Sequence, residues 1–441
     1  MFPPFDQEAA FSLCQRVARL LDEGVLLLEK RGALSSSRAD TPVMLGAMVA
    51  IDKRVGQQYA LYTVSGATRR ITGCMEGAEY VESVVPPQLI EAALAANDRL
   101  IHELTRAIAS MPQGDERAAL KTRRKALCDA SLAKVFSLYH FACATGQLVS
   151  LDAICAKKHT LPPAGTGECA TVKLLHHAFS HHLVPTSLSE VFYSKDQGSP
   201  LECQPPCDAR CAFVLDEMLG LKIIYRDEQL IVVEKPSGLL SVPGRGEDKR
   251  DCVASRVRAL YPECIAQPAV HRLDMETSGL MVLAFSKEAH LNLSRQFATG
   301  QVEKRYEALL DGNLLKTKRE REGQLELYFR LDVENRPHQV WDAVYGKKAI
   351  TRWRIVRVER YRAPSGESRH VTRCEFVPLT GRTHQIRLAC SSPHGLACPI
   401  VGDSLYGSCQ EGQRLMLHAT GLSFCHPATG DRLAFSSRCP F

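Results

Sequence analysis

Residues 271–290 read HRLDMETSGLMVLAFSKEAH. His271, Arg272 and Asp274 fall within four positions, then come Thr277, Ser278 and Gly279, then the apolar run Leu280 to Phe285. GLMVLAF reads as a buried strand, and Ser286 is placed to cap a helix over KEAHLNLSRQF. Asp274 therefore belongs to a polar turn at the lip of a sheet, half out of water. An ionised, poorly solvated carboxylate there suits nucleophilic or general-base work. The plainer alternative is a turn aspartate that bonds to nearby backbone N–H groups.

Moving outward, LKIIYRDEQLIVVEKPSG upstream reads as two short strands around the turn at Asp227–Glu228, and VASRVRALYP as a helix. Downstream, EKRYEALLDG, GQLELYFRLD, AITRWRIVRVERY and SRHVTRCEFVPL are strands by their β-branched and aromatic content, and RLMLHATGLSF closes with another. RTHQIRLACSS reads as a helix starting at Thr383, with Arg387 one turn on along the same face. In KRYEALL, 304–310, alternation puts Lys304, Tyr306 and Ala308 on one face and Arg305 and Glu307 on the other. Runs of strand with few helices argue for an α+β fold with a mostly antiparallel sheet.

The first half has a different texture. AAFSLCQRVARLLDEGV is amphipathic and helical; VMLGAMVAID and QQYALYTVSG are strands joined by a turn near Lys53–Gly56. Helical spacing over 88–110 and 116–142, broken by PQGD, predicts a helical hairpin (88–142). TLPPAGTGECATVKLLHHAF is a loop followed by a short helix at 170–180; no G-K-[ST] follows, so it is no phosphate loop. PLECQPPCDARC, 200–211, breaks any regular element. The predicted division is 1–215, an α/β extension, and 216–441, the domain that carries Asp274.

The chain has 441 residues, enough for two or three domains, and 45% are hydrophobic. A net charge of +6 is compatible with nucleic acid without proving it. MFPPFDQEAAF carries no leader pattern and no apolar run approaches a membrane span, so the expected setting is the cytoplasm, with no membrane. The 17 cysteines then read as reduced thiols. Cys203, Cys207 and Cys211, with Cys169 and the pair His177 and His181, raise a zinc site, but the spacing is that of no ribbon or knuckle. Buried or turn cysteines are the preferred reading, and no metal is expected.

Five blocks occur in order: VEKPSGLLSVPG (233–244), HRLDMETSGLMVLA, EKRYEALLDG, GRTHQIRLACSSPHGLACPIVGDSLYG and LMLHATGLSF. Over roughly Leu221 to Phe441 the chain resembles the RluA family of RNA pseudouridine synthases, in a long subgroup with an N-terminal extension. The resemblance implies the pseudouridine synthase fold, a mixed and mostly antiparallel sheet flanked by helices. It implies isomerisation of specific uridines in rRNA or tRNA, and no cofactor. Asp274 matches the family's catalytic aspartate, which attacks either the ribose C1′ or the uracil ring. Tyr306 matches the tyrosine that stacks on the target base and helps take a proton, and Arg387 the arginine that pairs with the aspartate. Leu417 matches the apolar residue beneath the site, and Arg272 the arginine that enters the RNA stack when the nucleotide leaves it.

Arg382 reads as a phosphate contact, and His271 and His384 as structural or RNA-contacting groups. Asp403 reads as a loop residue of the fourth block. Arg352, Arg354, Arg360 and Arg362 alternate along one strand as a candidate RNA-backbone stripe, and KTRRK, 121–125, adds basic surface on the hairpin. Residues 1–215 are expected to help choose the RNA and to do no chemistry, and a monomer is favoured. The rival readings are a non-catalytic RNA-binding protein on the same scaffold and a fused bifunctional enzyme. Against the second, the first half has no H-x-E with P-C-x-x-C deaminase pattern and no dinucleotide fingerprint.

Overall fold

The computed structural model describes residues 5–30, 42–52, 54–195, 200–205, 210–246, 249–317 and 320–441. The chain forms two compact units, Met1–Gly220 and Leu221–Phe441.

In the first unit a five-stranded sheet runs in the order Glu79–Tyr80, Gln57–Val64, Val43–Asp52, Val184–Tyr193, Cys203–Gln204. The central strand is covered on both sides. Val43, Leu45 and Ala47 pack with Leu13, Val17 and Leu21 of the helix Glu8–Asp22. Gly46, of opposite parity, meets the helix Ala170–Ser180, where an added Cβ would lie 2.6 Å from the Ala170 Cβ. The hairpin consists of Pro87–Ser110 and Asp115–Phe136.

Its second helix stops six residues short of the expected end. His140–Ala142 is instead a strand paired with Leu148–Ser150, because Tyr139 and Phe141 are drawn into the core and the Tyr139 hydroxyl bonds Glu168 Oε1 at 2.9 Å. The described residues of 200–211 include regular elements all the same, since Cys203–Gln204 extends the sheet and Cys211 opens a helix to Leu219. Lys53 and Cys207 lie outside the described residues, among which no cluster of three or more His, Cys, Asp or Glu side chains is arranged to hold a metal. Among them, too, no helix is long and apolar enough to cross a membrane.

The second unit is built on one ten-stranded sheet. Its strands are β1 (Lys222–Arg226), β2 (Leu230–Lys235), β3 (Ser278–Ala284), β4 (Glu303–Leu310), β5 (Glu322–Leu331), β6 (Gln339–Trp341), β7 (Lys347–Arg362), β8 (Ser368–Pro378), β9 (Leu417–Cys425) and β10 (Arg432–Ser436). The order is β1-β2-β3-β9-β4-β8-β7-β5-β6, with β10 on β9. Every pairing is antiparallel except β3 with β9, so the α+β expectation holds. The helices are α1 (Val253–Leu260), α2 (Lys287–Ala298) and α3 (Gln385–Ser391).

All seven residues of β3 are buried, and each large apolar side chain so removed from water contributes roughly 1.5–3 kcal/mol. Ser286 caps α2 through its hydroxyl, which accepts from Ala289 N at 3.1 Å. Gly279 has φ +116°, and an added Cβ would overlap the Ala419 backbone. That residue must be glycine for β3 and β9 to run side by side.

The arginine stripe on β7 is broken. Register shifts between Ile355 and Arg357, a bulge at Val356, and the alternation changes phase there. Arg352 and Arg354 stay on one face. Arg360 and Arg362 pair with His370 and Ser368, on the face of Trp353 and Ile355 instead. Arg354 is moreover tied to Glu375 at 2.6 Å.

Candidate active site

The turn bearing Asp274 is fastened to the segment that follows β2. Ser241 Oγ donates to Leu273 O at 2.6 Å and accepts from Leu273 N at 3.0 Å. Gly238 N donates to Met275 O at 2.9 Å, and Ser237 Oγ to Glu276 O at 2.6 Å. Lys235, fully buried, sends its ammonium to three carbonyls: Pro236 at 2.9 Å, Leu239 at 2.6 Å and Met275 at 2.8 Å. Burial drives the Lys235 pKa down to about 7, against the pull of the Asp274 charge, and Arg414 adds to the fall. Three acceptors match the three protons of an ammonium. The EKPSGLLS block thus acts as a clasp under the HRLD block.

Asp274 opens onto a cavity of about 590 Å³. Tyr306 of β4 and Leu417 at the head of β9 line it, with Arg387 of α3 and the loop residues Arg272 and Arg382. Tyr306 stands opposite Phe376 of β8 and Ala419 of β9, and Leu417 opposite Ala308. Burial, reinforced by the Asp274 charge, lifts the Tyr306 phenol well above the ordinary tyrosine range, so it is protonated at neutral pH. The expected faces of β4 hold: Lys304 and Tyr306 look into this cavity, whereas Arg305 and Glu307 line a separate groove on the other face of the sheet.

Arg387 reaches the site by a route the sequence reading did not foresee. Thr383 is not helical. His384 has φ +53°, a left-handed step, and α3 starts at Gln385. The Gln385 side chain holds that start, accepting from Arg382 N at 2.9 Å and Thr380 Oγ1 at 2.8 Å and donating to Ile350 O at 3.0 Å and Thr351 Oγ1 at 2.9 Å.

The Arg387 guanidinium is almost fully buried. Its Nη1 lies 3.8 Å from Asp274 Oδ2, but its close partners are others. Asp403, wholly buried, takes Nε at 2.9 Å and Nη2 at 2.6 Å, and Glu276 Oε2 takes Nη2 at 2.9 Å. Burial works against the arginine's charge, yet the hydrogen bonds and charge of Asp403, with Asp274 and Glu276 behind, hold its pKa above the ordinary value. Asp403 is therefore more than a loop residue. Its one prior signal was a carboxylate inside the apolar stretch CPIVGDSLYG.

His384 also faces the acid, with Nε2 3.8 Å from Asp274 Oδ1 and Nδ1 2.7 Å from the Tyr406 hydroxyl. Burial lowers its pKa although Asp274 pulls it up. His271 is a wall residue: its Nε2 accepts from Val282 N at 3.1 Å, its ring stacks on Phe297, and burial and then Lys304 push its pKa down to about 3. Arg272 and Arg382 are exposed on the rim, Arg382 donating through Nε to Lys348 O at 3.0 Å.

Residues 229–392, inside the second unit, match the family described as RNA pseudouridylate synthase. The dual-specificity RNA pseudouridine synthase RluA of Haemophilus influenzae is 42% identical over 226 residues, 50% of this chain and 94% of that protein. Its namesake from Escherichia coli K12 is 39% identical over 226 residues, with the same 50% and 94% coverage. Among solved structures, human RNA pseudouridylate synthase domain containing 1 is 28% identical, covers 50% of this chain and 84% of its own, and has a TM-score of 0.41. The chain belongs to the RNA pseudouridylate synthase family, in its RluA branch, and is an isomerase that acts on RNA.

Proposed function

We propose that this enzyme converts specific uridines of rRNA or tRNA to pseudouridine, with Asp274 as the nucleophile. The observation that carries this is the convergence of Asp274, Tyr306, Arg387 and Leu417 on one cavity of about 590 Å³. The names of the relatives, dual-specificity RNA pseudouridine synthases, support a substrate range beyond a single RNA.

A uridine held in an RNA stack is out of reach of a carboxylate at the lip of a sheet, so it is extruded, at a cost of a few kcal/mol. Tyr306 receives the base by stacking, worth roughly 1–3 kcal/mol, and Leu417 forms the floor. Arg272, exposed at the rim, fills the gap the base leaves with its planar guanidinium. Arg382 meets phosphate, and His271 shapes the wall.

The Asp274 carboxylate attacks the ribose C1′ or the uracil ring and bonds to it. The N1–C1′ bond breaks, the ring turns, a C5–C1′ bond forms, the bond to Asp274 breaks and returns the free carboxylate, and the C5 proton leaves while N1 gains one. Atoms and electrons balance within the nucleotide, so the reaction draws on no external reagent. Tyr306, protonated in the free site, offers a hydroxyl for the proton movements.

The test is a map of pseudouridines in total RNA from cells with and without the protein, repeated with Asp274→Ala. Loss of the same modified positions in both supports the proposal. Pseudouridine formed by the variant ends the nucleophile assignment. No RNA position dependent on the protein ends the substrate assignment.

A further inference from the structure

Arg387 is shared by three carboxylates in unequal fashion. Asp403 holds the Nε/Nη2 edge, Glu276 takes the remaining Nη2 proton at 2.9 Å, and Asp274 is left facing Nη1 at 3.8 Å. Glu276 is two residues beyond Asp274 on the same turn. Its Oε1 accepts from Ser404 Oγ at 2.8 Å, in the loop that carries Asp403. One side chain thus ties the Asp274 turn to both the arginine and the loop that carries its main counter-ion.

We propose that Glu276 is a positioning residue that draws Arg387 away from Asp274 and so keeps an oxygen of Asp274 free to react. The inference rests on the reading of Asp274 as nucleophile. A carboxylate in tight contact with a guanidinium has its lone pairs occupied and is a poorer nucleophile, whereas one held a further ångström away keeps the favourable charge and an open oxygen. Glu276 competes for the same positive charge through Nη2, next to the Nη1 that Asp274 faces. The other charged or titratable groups around Asp274 are Lys235, held by carbonyls beneath the turn, His384, whose protonation burial opposes, and Arg272, Lys304 and Arg382 of the same cavity. All of these are cationic when charged, so none competes for Arg387 as Glu276 does.

The experiment compares kcat and KM of the full-length enzyme on one RNA substrate for wild type, Glu276→Gln, Ser404→Ala and Asp274→Asn. Glu276→Gln keeps an acceptor for Ser404 but loses the charge. The expected result is a fall in kcat of about 10-fold with KM and melting temperature unchanged, and a smaller fall for Ser404→Ala in the same direction. Glu276→Asp, which restores the charge one methylene short, recovers part of kcat. Wild-type kcat in Glu276→Gln overturns the inference, as does a loss that appears only in KM. Should Glu276→Gln fail to fold, unchanged kcat in Ser404→Ala overturns it. An active Asp274→Asn enzyme sinks the underlying nucleophile reading instead.

Discussion

Asp274 stands 3.8 Å from Arg387, while Asp403 closes on the same guanidinium to 2.6 Å. The arginine beside Asp274 is thus primarily the partner of a second, fully buried acid. In the proposed mechanism this ordering separates the pair that holds the site together from the acid that reacts.

Asp403→Asn removes the charge but keeps the shape. It leaves a buried guanidinium short of its main counter-ion, a change that costs about 3–5 kcal/mol. The second unit's unfolding midpoint in urea is expected to drop accordingly, and activity to fall with it. An unchanged midpoint would mean that Glu276 and Asp274 suffice to hold Arg387.

Tyr306→Phe keeps the ring on β4 and deletes only the hydroxyl. Positioned proton transfer is worth about 10²–10⁴-fold, so kcat is expected to fall by at least ~10²-fold with RNA affinity nearly unchanged. Tyr306→Ala removes the stacking surface as well, and should weaken RNA binding by roughly 1–3 kcal/mol. Single-turnover rates and filter binding separate the two.

His418 supplies a pH test. It is buried on β9 between the hydroxyls of Ser278 and Ser437, at 2.8 Å and 2.9 Å, and burial drives its pKa down to about 4. The unfolded chain takes up a proton near the ordinary value of about 6.5, whereas the folded chain resists until about 4. Stability is therefore full above about pH 6.5 and is lost as pH falls through that window, by up to about 1.4 kcal/mol per unit. Denaturation midpoints between pH 7 and pH 4 should show this slope added to that of His271, whose pKa burial pushes down to about 3, and His418→Gln should make the total slope shallower.

The hairpin of the first unit exposes Lys121, Arg123 and Lys125 on one helix. If this surface helps choose the RNA, Lys121→Glu, Arg123→Glu and Lys125→Glu together should leave kcat alone, raise KM and lower the salt dependence of binding, since each lost phosphate contact reduces the log–log slope by about 0.7–0.9. Identical salt slopes would assign the run to solubility alone.

Much of the second unit could be read directly. Alternation in KRYEALL puts Tyr306 and Lys304 on the cavity side, and the buried β3 and the Ser286 cap of α2 follow from local pattern. Partnerships across long sequence distance could not be read. Arg387 meets Glu276 over 111 positions, and it takes the assembled fold of the second unit to bring them together. The helix start was misplaced because a left-handed histidine, rare for any residue with a Cβ, leaves no trace in periodicity. The arginine stripe failed because one bulged residue reverses every side chain after it.

Backbone atoms of the Asp274 turn are bolted to Lys235, Ser237, Gly238 and Ser241, which anchors the turn that carries the acid. In the proposed mechanism the travelling falls to the nucleic acid. In the extruded-uridine reading, target choice then belongs partly to the RNA itself, to how loosely a given strand grips its uridine, and a weakened neighbouring pair should make a poor site better without any change in the protein.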